Sequence, residues 1–402
     1  MAISTKQAHS DARAPEAVAA AGLAALAVAM GIGRFAFTPL LPMMQQDAGL
    51  SLAAGAWLAS ANYAGYLAGA LLTMAWRISP AIAIRAGMTA IVVATLGMGV
   101  TQDFAIWAAL RAAAGIASAW ILVYVSAWCL EALTPLRRPV LIATVFAGVG
   151  AGIAATGVLC LGLILARATS GEAWIALGLI SLAVSIGIWR ALEPRDRSGD
   201  DDDRHAAPGH SQLWSAESLR LVICYGVFGF GYIIPATFIP AMAREIVHEG
   251  SLFAWAWPVF GAAAAASTLS VAVLLRRIPN RLLWITSQLV MALGVSLPVV
   301  WPGIGGLLLA AVLVGGTFMV VTMMGMREAR EVAGLHAPSL MAAMTSAFAA
   351  GQIAGPIAVS TLAAGGAGYS HALLLASALL AASAFLLSRG AAVRSPPPRA
   401  AP

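Results

Sequence analysis

Two arginines lie inside long apolar stretches of the sequence, where a charged side chain needs a specific reason to be. Arg34 closely follows Gly31 and Gly33, and Arg111 follows the apolar run 104–110. A charged residue at the centre of a membrane-spanning helix costs about 2.5–3.5 kcal/mol on insertion scales, so it persists where it faces a water-filled cavity or a partner. A guanidinium can hold a carboxylate or phosphate through two parallel hydrogen bonds. We therefore expect Arg34 and Arg111 to bind an anionic group of a small molecule.

A structural role is the alternative for both arginines. In that role each guanidinium donates to backbone carbonyls that a nearby glycine or proline leaves without a helical partner. Gly31, Gly33 and Pro39 surround Arg34, so such carbonyls are expected there. The interiors of the apolar stretches contain no Asp, Glu or His, so neither arginine has an expected counter-charge. The sequence leaves the two roles open.

Four further polar side chains recur at helical spacing in these stretches. Tyr225 and Tyr232 are seven residues apart and Asn62 and Tyr66 are four apart, so each pair shares one face of a helix. A tyrosine in a membrane helix more often packs or anchors the helix at the interface, but an amide group rarely faces lipid. We expect these four residues to bind substrate together with the arginines. Weaker candidates are Gln288, Gln352 and Trp120.

The composition explains why these polar groups stand out. The chain has 402 residues, of which 60% are hydrophobic and 10% are charged. Soluble domains carry about 25% charged residues, so this chain cannot coat a water-facing surface. Its length fits about a dozen membrane spans of about 20 residues with short connections. Twelve apolar segments are predicted, at 17–43, 52–76, 81–101, 104–130, 139–166, 172–192, 218–242, 252–275, 282–301, 304–326, 338–362 and 370–388.

The basic residues set the expected orientation. Of the 23 Lys and Arg residues, 19 lie on the side of the N-terminus, two lie on the opposite side, and Arg34 and Arg111 lie within segments. By the positive-inside rule both termini are expected in the cytoplasm, with the chain in a bacterial inner membrane. The first segment continues past Met30, which favours an anchored helix over a signal peptide. The predicted divisions are a cytoplasmic tail (1–16), an N-terminal six-helix bundle (17–192), a flexible cytoplasmic linker (193–217), a C-terminal six-helix bundle (218–388) and a cytoplasmic tail (389–402).

An internal repeat relates the first segment to the seventh. Residues 31–44 and 229–242 share two glycines, a proline and a methionine at an offset of 198, and the fifth and eleventh segments share a Phe-Ala pair. Two glycines and a proline in register are less expected by chance than matching alanines or leucines would be. A duplication predicts that Arg34 and Tyr232 occupy equivalent positions on opposite walls of one cavity.

Duplicated six-helix halves are the plan of the major facilitator superfamily, and the fourth segment carries a second match. Arg111, followed by Gly115 and small residues, resembles that superfamily's fourth-helix motif. The runs 31–44 and 59–69 resemble the YbfB/YjiJ-type branch. The resemblance implies an all-α membrane protein with twelve transmembrane helices in two pseudo-symmetric six-helix bundles, working as a secondary transporter by alternating access. It also allows a structural or coupling role for Arg111.

The sequence departs from the family at the loop after the second helix. Thr73 stands where the family has an Asp that helps to lock the cytoplasmic face, and Arg77 is the basic residue that follows it. The absence of that Asp leaves the lock without one of its groups. Glu131, which lies near Arg137 in the sequence, is a candidate substitute.

Glycines predict where helices approach closely and where one could bend. Gly65 and Gly69 have the small-xxx-small spacing that lets two helices pack at short range. Gly115 belongs to the fourth-helix motif. Gly355 and Pro356, adjacent in the eleventh segment, are a candidate bending point between inward-open and outward-open states.

Other functional classes are disfavoured by what the sequence lacks. It has no G-x-x-x-x-G-K-[ST] loop for ATP, no filter-like loop or charged ring of a channel, and no acid, base or metal groups of an enzyme at membrane depth. Three cysteines in apolar stretches predict no metal site, and no cofactor is expected. We expect a monomer in the bilayer that binds a small organic anion and no nucleic acid; a carrier of a neutral or cationic compound is the alternative. Uptake, export and coupling stay open.

Overall fold

The computed structural model describes residues 14–76, 78–192, 214–246, 250–274, 278–364 and 368–391, and every regular element in these ranges is helical. The count of twelve predicted spans is confirmed, with ends that differ by a few residues. The helices are α1 (Pro15–Asp47), α2 (Leu52–Ala75), α3 (Pro80–Val100), α4 (Phe104–Leu133), α5 (Pro139–Leu165), α6 (Ser170–Ile188), α7 (Ala216–Ile246), α8 (Gly250–Leu274), α9 (Asn280–Val300), α10 (Ile304–Ala333), α11 (Ala337–Ala364) and α12 (Gly368–Ala391).

Length and hydropathy make these helices suitable for a bilayer. Nine described helical stretches are long and apolar enough to cross a membrane, and one of them, Ile304–Val359, contains α10 and most of α11, joined by a short turn. The α8 helix contributes a shorter apolar stretch, Trp257–Val273. Predominantly apolar helices satisfy their backbone hydrogen bonds internally, as hydrocarbon requires.

Polar residues in the short connections fix several helix starts. Ser79 caps α3, and Pro80 occupies its first turn, where a missing N–H costs nothing. Asp103 accepts a hydrogen bond from the first turn of α4. Thr169 and Glu172 form a reciprocal capping box at the start of α6. These caps place the helix ends where the hydropathy pattern predicts turns.

The two halves repeat one packing pattern. In the first half α1 packs on α5, α2 on α4, and α3 on both α4 and α6. In the second half α7 packs on α11, α8 on α10, and α9 on both α10 and α12, which is the same pattern six helices later. The halves meet through α5 with α8 and α2 with α11, a pair of contacts that the same symmetry exchanges. The predicted fold class is confirmed, while the exact domain limits stay a prediction.

Glycines from the repeat perform equivalent packing roles. A Cβ atom on Gly31 would lie 2.5 Å from the backbone of Gly152 on α5, and one on Gly229 would lie 2.2 Å from a carbonyl oxygen on α11. In the same way a Cβ on Gly65 would lie 2.1 Å from a backbone oxygen of α4, and one on Gly69 would lie 2.6 Å from the backbone oxygen four residues further along α4. The predicted close packing at Gly65 and Gly69 is confirmed. Larger side chains at these positions would force the helices apart.

The start of α7 and the end of α10 differ from the predicted boundaries. The predicted linker extends to Glu217, but α7 begins at Ala216, and α10 continues seven residues past the predicted end at 326. This longer α10 carries a buried carboxylate, Glu328, which accepts a hydrogen bond from Arg281 at 3.1 Å. Arg281 also pairs with Glu217. Glu328 lies beyond the predicted span 304–326, near the end of α10, and Arg281 balances its charge locally.

Candidate substrate site

Helix α1 changes its geometry beside Arg34. Residues Ala27–Arg34 form a π-helical segment, and the Phe35 N–H closes it by donating to the Met30 carbonyl at 3.0 Å, five residues back. The chain then makes a turn and resumes an α-helix at Phe37. Pro39 contributes to this break because it has no N–H with which to continue the ladder. The break leaves the carbonyls of Gly33 and Arg34 available to a side chain from another helix.

Arg111 on α4 occupies those two carbonyls. Its Nη1 donates to the Gly33 oxygen at 3.3 Å and its Nη2 donates to the Arg34 oxygen at 3.2 Å. Its Cζ lies 4.7 Å from the centroid of the Phe37 ring, and the side chain is buried. These contacts are the ones expected of the structural alternative, in which Arg111 holds the broken part of α1 against α4. The prediction that Arg111 binds substrate stays a prediction.

Arg34 makes a different set of contacts. Its Nη2 donates to the side-chain oxygen of Gln352 on α11, which joins the two halves, and its Cζ lies 3.8 Å from the Tyr66 ring centroid. Its Nε and Nη1 are buried and have no hydrogen-bond partner. Within the described part of the chain neither Arg34 nor Arg111 has an ion-pair partner. Arg34 thus carries a buried charge and two unused donors, which is a costly arrangement unless a ligand completes it.

Gln352 contacts the nitrogen of Arg34 that takes part in every two-point contact between a guanidinium and a carboxylate. A carboxylate binds side-on through Nε with Nη2, or end-on through Nη1 with Nη2, so Nη2 belongs to both pairs. Gln352 occupies Nη2 in this structure. Nη2 carries two N–H groups and Gln352 accepts from one of them, so a carboxylate can use the other together with Nε or Nη1, and the Gln352 Nε2, which has no partner, is available as a further donor.

A closed cavity lies between the halves next to these groups. Its volume is about 10 Å³, roughly the smallest space that holds one water. Tyr66 of the first half and Tyr225, Phe318 and Phe348 of the second half line it. A small solute therefore requires the halves to separate before it can enter this space.

Aromatic rings form most of the wall contributed by the second half. The Tyr232 ring stacks on Phe318 with centroids 4.3 Å apart, and Phe35 meets Trp257 edge-on at 6.0 Å and Phe318 at 6.2 Å. The hydroxyl groups of Tyr66 and Tyr232 are buried without a hydrogen-bond partner. The site thus combines flat apolar surfaces with several unused donors at one end.

The structure brings together some of the predicted binding residues and separates others. Tyr225 lines the central cavity, and its hydroxyl contacts that of Thr322. Asn62 lies instead at the contact between α2 and α4, where its Nδ2 donates to the Arg111 carbonyl at 2.9 Å. Its Oδ1 is buried and unpaired. Arg34, Tyr66, Tyr225 and Tyr232 therefore surround one centre, while Asn62 and Arg111 lie behind it.

The predicted gate residues lie at the helix ends. The Thr73 hydroxyl donates to the Gly69 carbonyl of its own helix at 2.9 Å, and Glu131 is exposed near the end of α4. Arg77 lies outside the described residues. The substitution of Glu131 for the family's Asp stays a prediction.

Gly115 and Gly355 both lie at close helix contacts. A Cβ on Gly115 would lie 2.2 Å from the Asn62 carbonyl oxygen, and one on Gly355 would lie 2.4 Å from the Ile233 side chain. Pro356 lies inside α11, which stays helical on both sides of it. Bending at Gly355-Pro356 stays a prediction.

The sequence ranked Gln352 among the weaker candidates and did not single out the aromatic wall, and the structure places Gln352 in contact with Arg34. Gln352 is fully buried and reaches Arg34 across 318 residues of sequence. Its only sequence signal is an amide inside an apolar segment, one that it shares with Gln288, which bonds instead with Trp284 and Ser383. The wall residues give no signal, because phenylalanine and tryptophan are common in every membrane helix.

Comparisons with known proteins agree with this architecture. A protein-family model described as an uncharacterised MFS-type transporter, YbfB, matches residues 26–388. A search of curated proteins finds no significant match. Among solved structures, the crystal structure of the human organic anion transporter MFSD10 (TETRAN) is similar, with a TM-score of 0.72 and 16% identity over 93% of this chain and 99% of that chain. At that identity the likeness shows the fold alone.

Proposed function

Since this chain belongs to the YbfB-type family of the major facilitator superfamily, and is thus a multi-pass membrane transporter, we propose that it carries a small organic anion by alternating access. The observation that supports the anion most is the state of Arg34. This buried guanidinium has no carboxylate partner among the described residues and keeps two donor nitrogens, Nε and Nη1, unused. An anionic substrate would satisfy both the charge and the donors.

The chemistry of the walls narrows the substrate class. Tyr66, Tyr232 and Gln352 present unused polar groups close to the guanidinium, while Phe318 and Phe348 offer flat apolar surfaces. An organic acid with a ring or another apolar body fits both features. A cation would meet Arg34 at close range in a low-dielectric site, and a sugar would need many more hydrogen-bonding groups than these. The similar human protein is described as an organic anion transporter, which accords with this assignment.

The contact between Arg34 and Gln352 suggests how binding and movement are linked. In the closed state this hydrogen bond joins α1 to α11 across the two halves. A substrate carboxylate would compete with Gln352 for the guanidinium and weaken that bond. The α5–α8 interface could allow the halves to rock, because Gly150 and Gly261 face each other's helix with no side chain between them.

The site also bears on how transport is driven. The residues that line the central cavity are Met, Tyr, Leu, Val, Phe and Thr, none of which titrates near neutral pH. A substrate that carries its own charge would then supply the only anion at Arg34. We place both termini in the cytoplasm of a bacterial cell, as the distribution of basic residues indicates.

Counterflow in proteoliposomes tests the proposed function. Vesicles that contain the purified protein are loaded with one of a panel of aromatic and aliphatic carboxylates, neutral amides or amines, and uptake of the labelled compound is followed. The proposal expects saturable counterflow for carboxylates, lost in Arg34→Lys and kept in the exposed control Arg167→Lys. Counterflow of amines or neutral compounds that is insensitive to Arg34→Lys would refute it, and flux that does not saturate would indicate a channel.

A further inference from the structure

A long groove runs along the outer surface of the first half, away from the central site. It encloses about 600 Å³ and is formed by α3, α4 and the residue that follows α6. Ile82, Ala86, Ala90 and Val93 line its α3 side at helical spacing. Ile82 and Val93 are 54% and 60% exposed, so this side faces lipid, while the two alanines between them make it concave.

A basic residue and a tryptophan mark one end of this groove. Arg85 donates from Nη2 to the carbonyl of Trp189 at 2.8 Å, and its Cζ lies 4.8 Å from the Trp189 ring centroid. Arg85 is five residues beyond the start of α3, about 7.5 Å along the helix axis. That depth is close to the headgroup level on the side of the membrane where α1 starts and α12 ends. Tryptophan is enriched at this level in membrane proteins.

The length of the groove corresponds to one leaflet. From Ile82 to Ala94 the α3 helix rises about 18 Å, and half of a hydrocarbon core is about 15 Å thick. An acyl chain could therefore lie along the alanines while its headgroup stays beside Arg85. The charge of the guanidinium selects a headgroup whose net charge is negative.

The duplication indicates that the fold does not require this arginine. When the starts of α3 and α9 are aligned, Ile285 stands at the position of Arg85. The second half builds the same three-helix contact, α9 with α10 and α12, without a basic residue there. A function that is specific to the first half accounts for Arg85 better than packing alone does.

The geometry points to a binding site for an anionic phospholipid, with one acyl chain in the α3 groove and the phosphate beside Arg85. The bond to the Trp189 carbonyl would hold the guanidinium at the groove's mouth, and its positive charge would attract the phosphate oxygens. This site would be occupied in the membrane whatever solute the carrier moves.

Native mass spectrometry and thermal unfolding of the purified full-length protein test this site. Phosphatidylglycerol and phosphatidylcholine with the same acyl chains are titrated into wild type, Arg85→Gln and Arg190→Gln. Arg190 is a matched control because it is exposed at the same end of α6 and does not line the groove. We expect wild type to bind phosphatidylglycerol more tightly than phosphatidylcholine. Arg85→Gln should lose about fivefold in affinity for phosphatidylglycerol, equivalent to about 1 kcal/mol for one basic residue, and Arg190→Gln should bind it as wild type does.

A second variant tests the acyl chain and keeps the proposal testable if Arg85→Gln does not fold. Ala90→Phe fills the groove and leaves Arg85 in place, and we expect it to weaken binding of both phospholipids. Inorganic phosphate alone should not raise the melting temperature. Equal binding of the two lipids by wild type, an equal loss in Arg190→Gln, or full binding by Ala90→Phe would overturn the assignment.

Discussion

Removing Arg34 together with its partner Gln352 should stabilise the protein while it abolishes transport. The double variant Arg34→Met/Gln352→Leu eliminates three buried donor nitrogens that have no partner, Nε and Nη1 of Arg34 and Nε2 of Gln352. It gives up one hydrogen bond between the two side chains and the contacts of Arg34 with the rings of Tyr66, Tyr63 and Phe35, of which the Tyr66 ring is the nearest. The balance of these changes decides the sign of the effect.

The contributions to the free energy of unfolding favour the double variant over wild type. Each unpaired buried donor costs about 1–3 kcal/mol, so three contribute about 6 kcal/mol at central values. The lost hydrogen bond to a charged group contributes about 1.5–3 kcal/mol, and the ring contacts, chiefly that with Tyr66, contribute about 0.5–2 kcal/mol. About 2.5 kcal/mol at central values remains in favour of the double variant. A stabilised and inactive variant is the behaviour of a residue kept for function.

Arg111→Met is the matched comparison, because it removes the same type of residue from the adjoining helix. Its two hydrogen bonds go to carbonyls of α1 that have no other described partner. Losing them and the contact with the Phe37 ring, offset in part by removal of the buried and unpaired Arg111 Nε, should destabilise the protein by about 4 kcal/mol at central values. Thermal unfolding of both purified variants in one detergent measures the contrast. If the Arg34→Met/Gln352→Leu protein melts as far below wild type as Arg111→Met does, Arg34 is structural and the reasoning fails.

Four further outcomes are expected. Gln352→Glu should place a permanent carboxylate on Arg34 and reduce carboxylate counterflow at least tenfold, about 1.4 kcal/mol, whereas Gln352→Ala should keep measurable activity. Equal activity of Gln352→Glu and wild type would contradict the role of Arg34 as the anion site. Tyr232→Phe should leave the melting temperature unchanged, because the Tyr232 hydroxyl is unpaired in the closed state. It should weaken substrate binding about three- to tenfold if the hydroxyl reaches the bound anion, and an unchanged affinity for substrate would exclude that contact. Gly115→Val should prevent correct folding because its Cβ would lie 2.2 Å from a backbone oxygen of α2, while Gly162→Ala, which faces open space, should purify normally. Size-exclusion profiles of the two variants compare them, and a well-folded Gly115→Val protein would disprove the close contact. Counterflow of a sulfonate, whose charge is fixed, should vary less than about twofold between pH 6 and pH 8, because no cavity-lining residue titrates in that range. A steep dependence of counterflow on pH would reveal a coupled proton site elsewhere.

The sequence predicted the fold well because the relevant signals are local. Each helix is an apolar run of membrane-spanning length, and the repeat of Gly31 and Gly33 at Gly229 and Gly231 identified the pairing of the halves. The end of α10 was placed too early because hydropathy falls at Glu328, although Arg281 on another helix balances that charge. Hydropathy cannot register a neutralising partner distant in sequence.

The candidate site was only partly predictable. Arg34 was found because an arginine in an apolar run is conspicuous, and Tyr232 followed from the repeat. The π-helical segment of α1 was not predicted, since a change of hydrogen-bond register leaves the apolar pattern intact. That segment determines which contacts the two arginines make, because its carbonyls accept from Arg111 while Arg34 donates to Gln352. The pairing of Arg34 with Gln352 depends on tertiary structure alone.

Binding of matched carboxylates and carboxamides decides whether Arg34 is an anion site. Each pair has the same body and differs only in charge, so thermal shifts of wild type and Arg34→Lys isolate the guanidinium's contribution. We expect carboxylates to stabilise wild type, their amides to have little effect, and Arg34→Lys to bind carboxylates about ten- to a hundredfold more weakly, since it keeps the charge and loses the paired donors. Equal shifts from acids and amides, or undiminished carboxylate binding by Arg34→Lys, would contradict the proposed anion site.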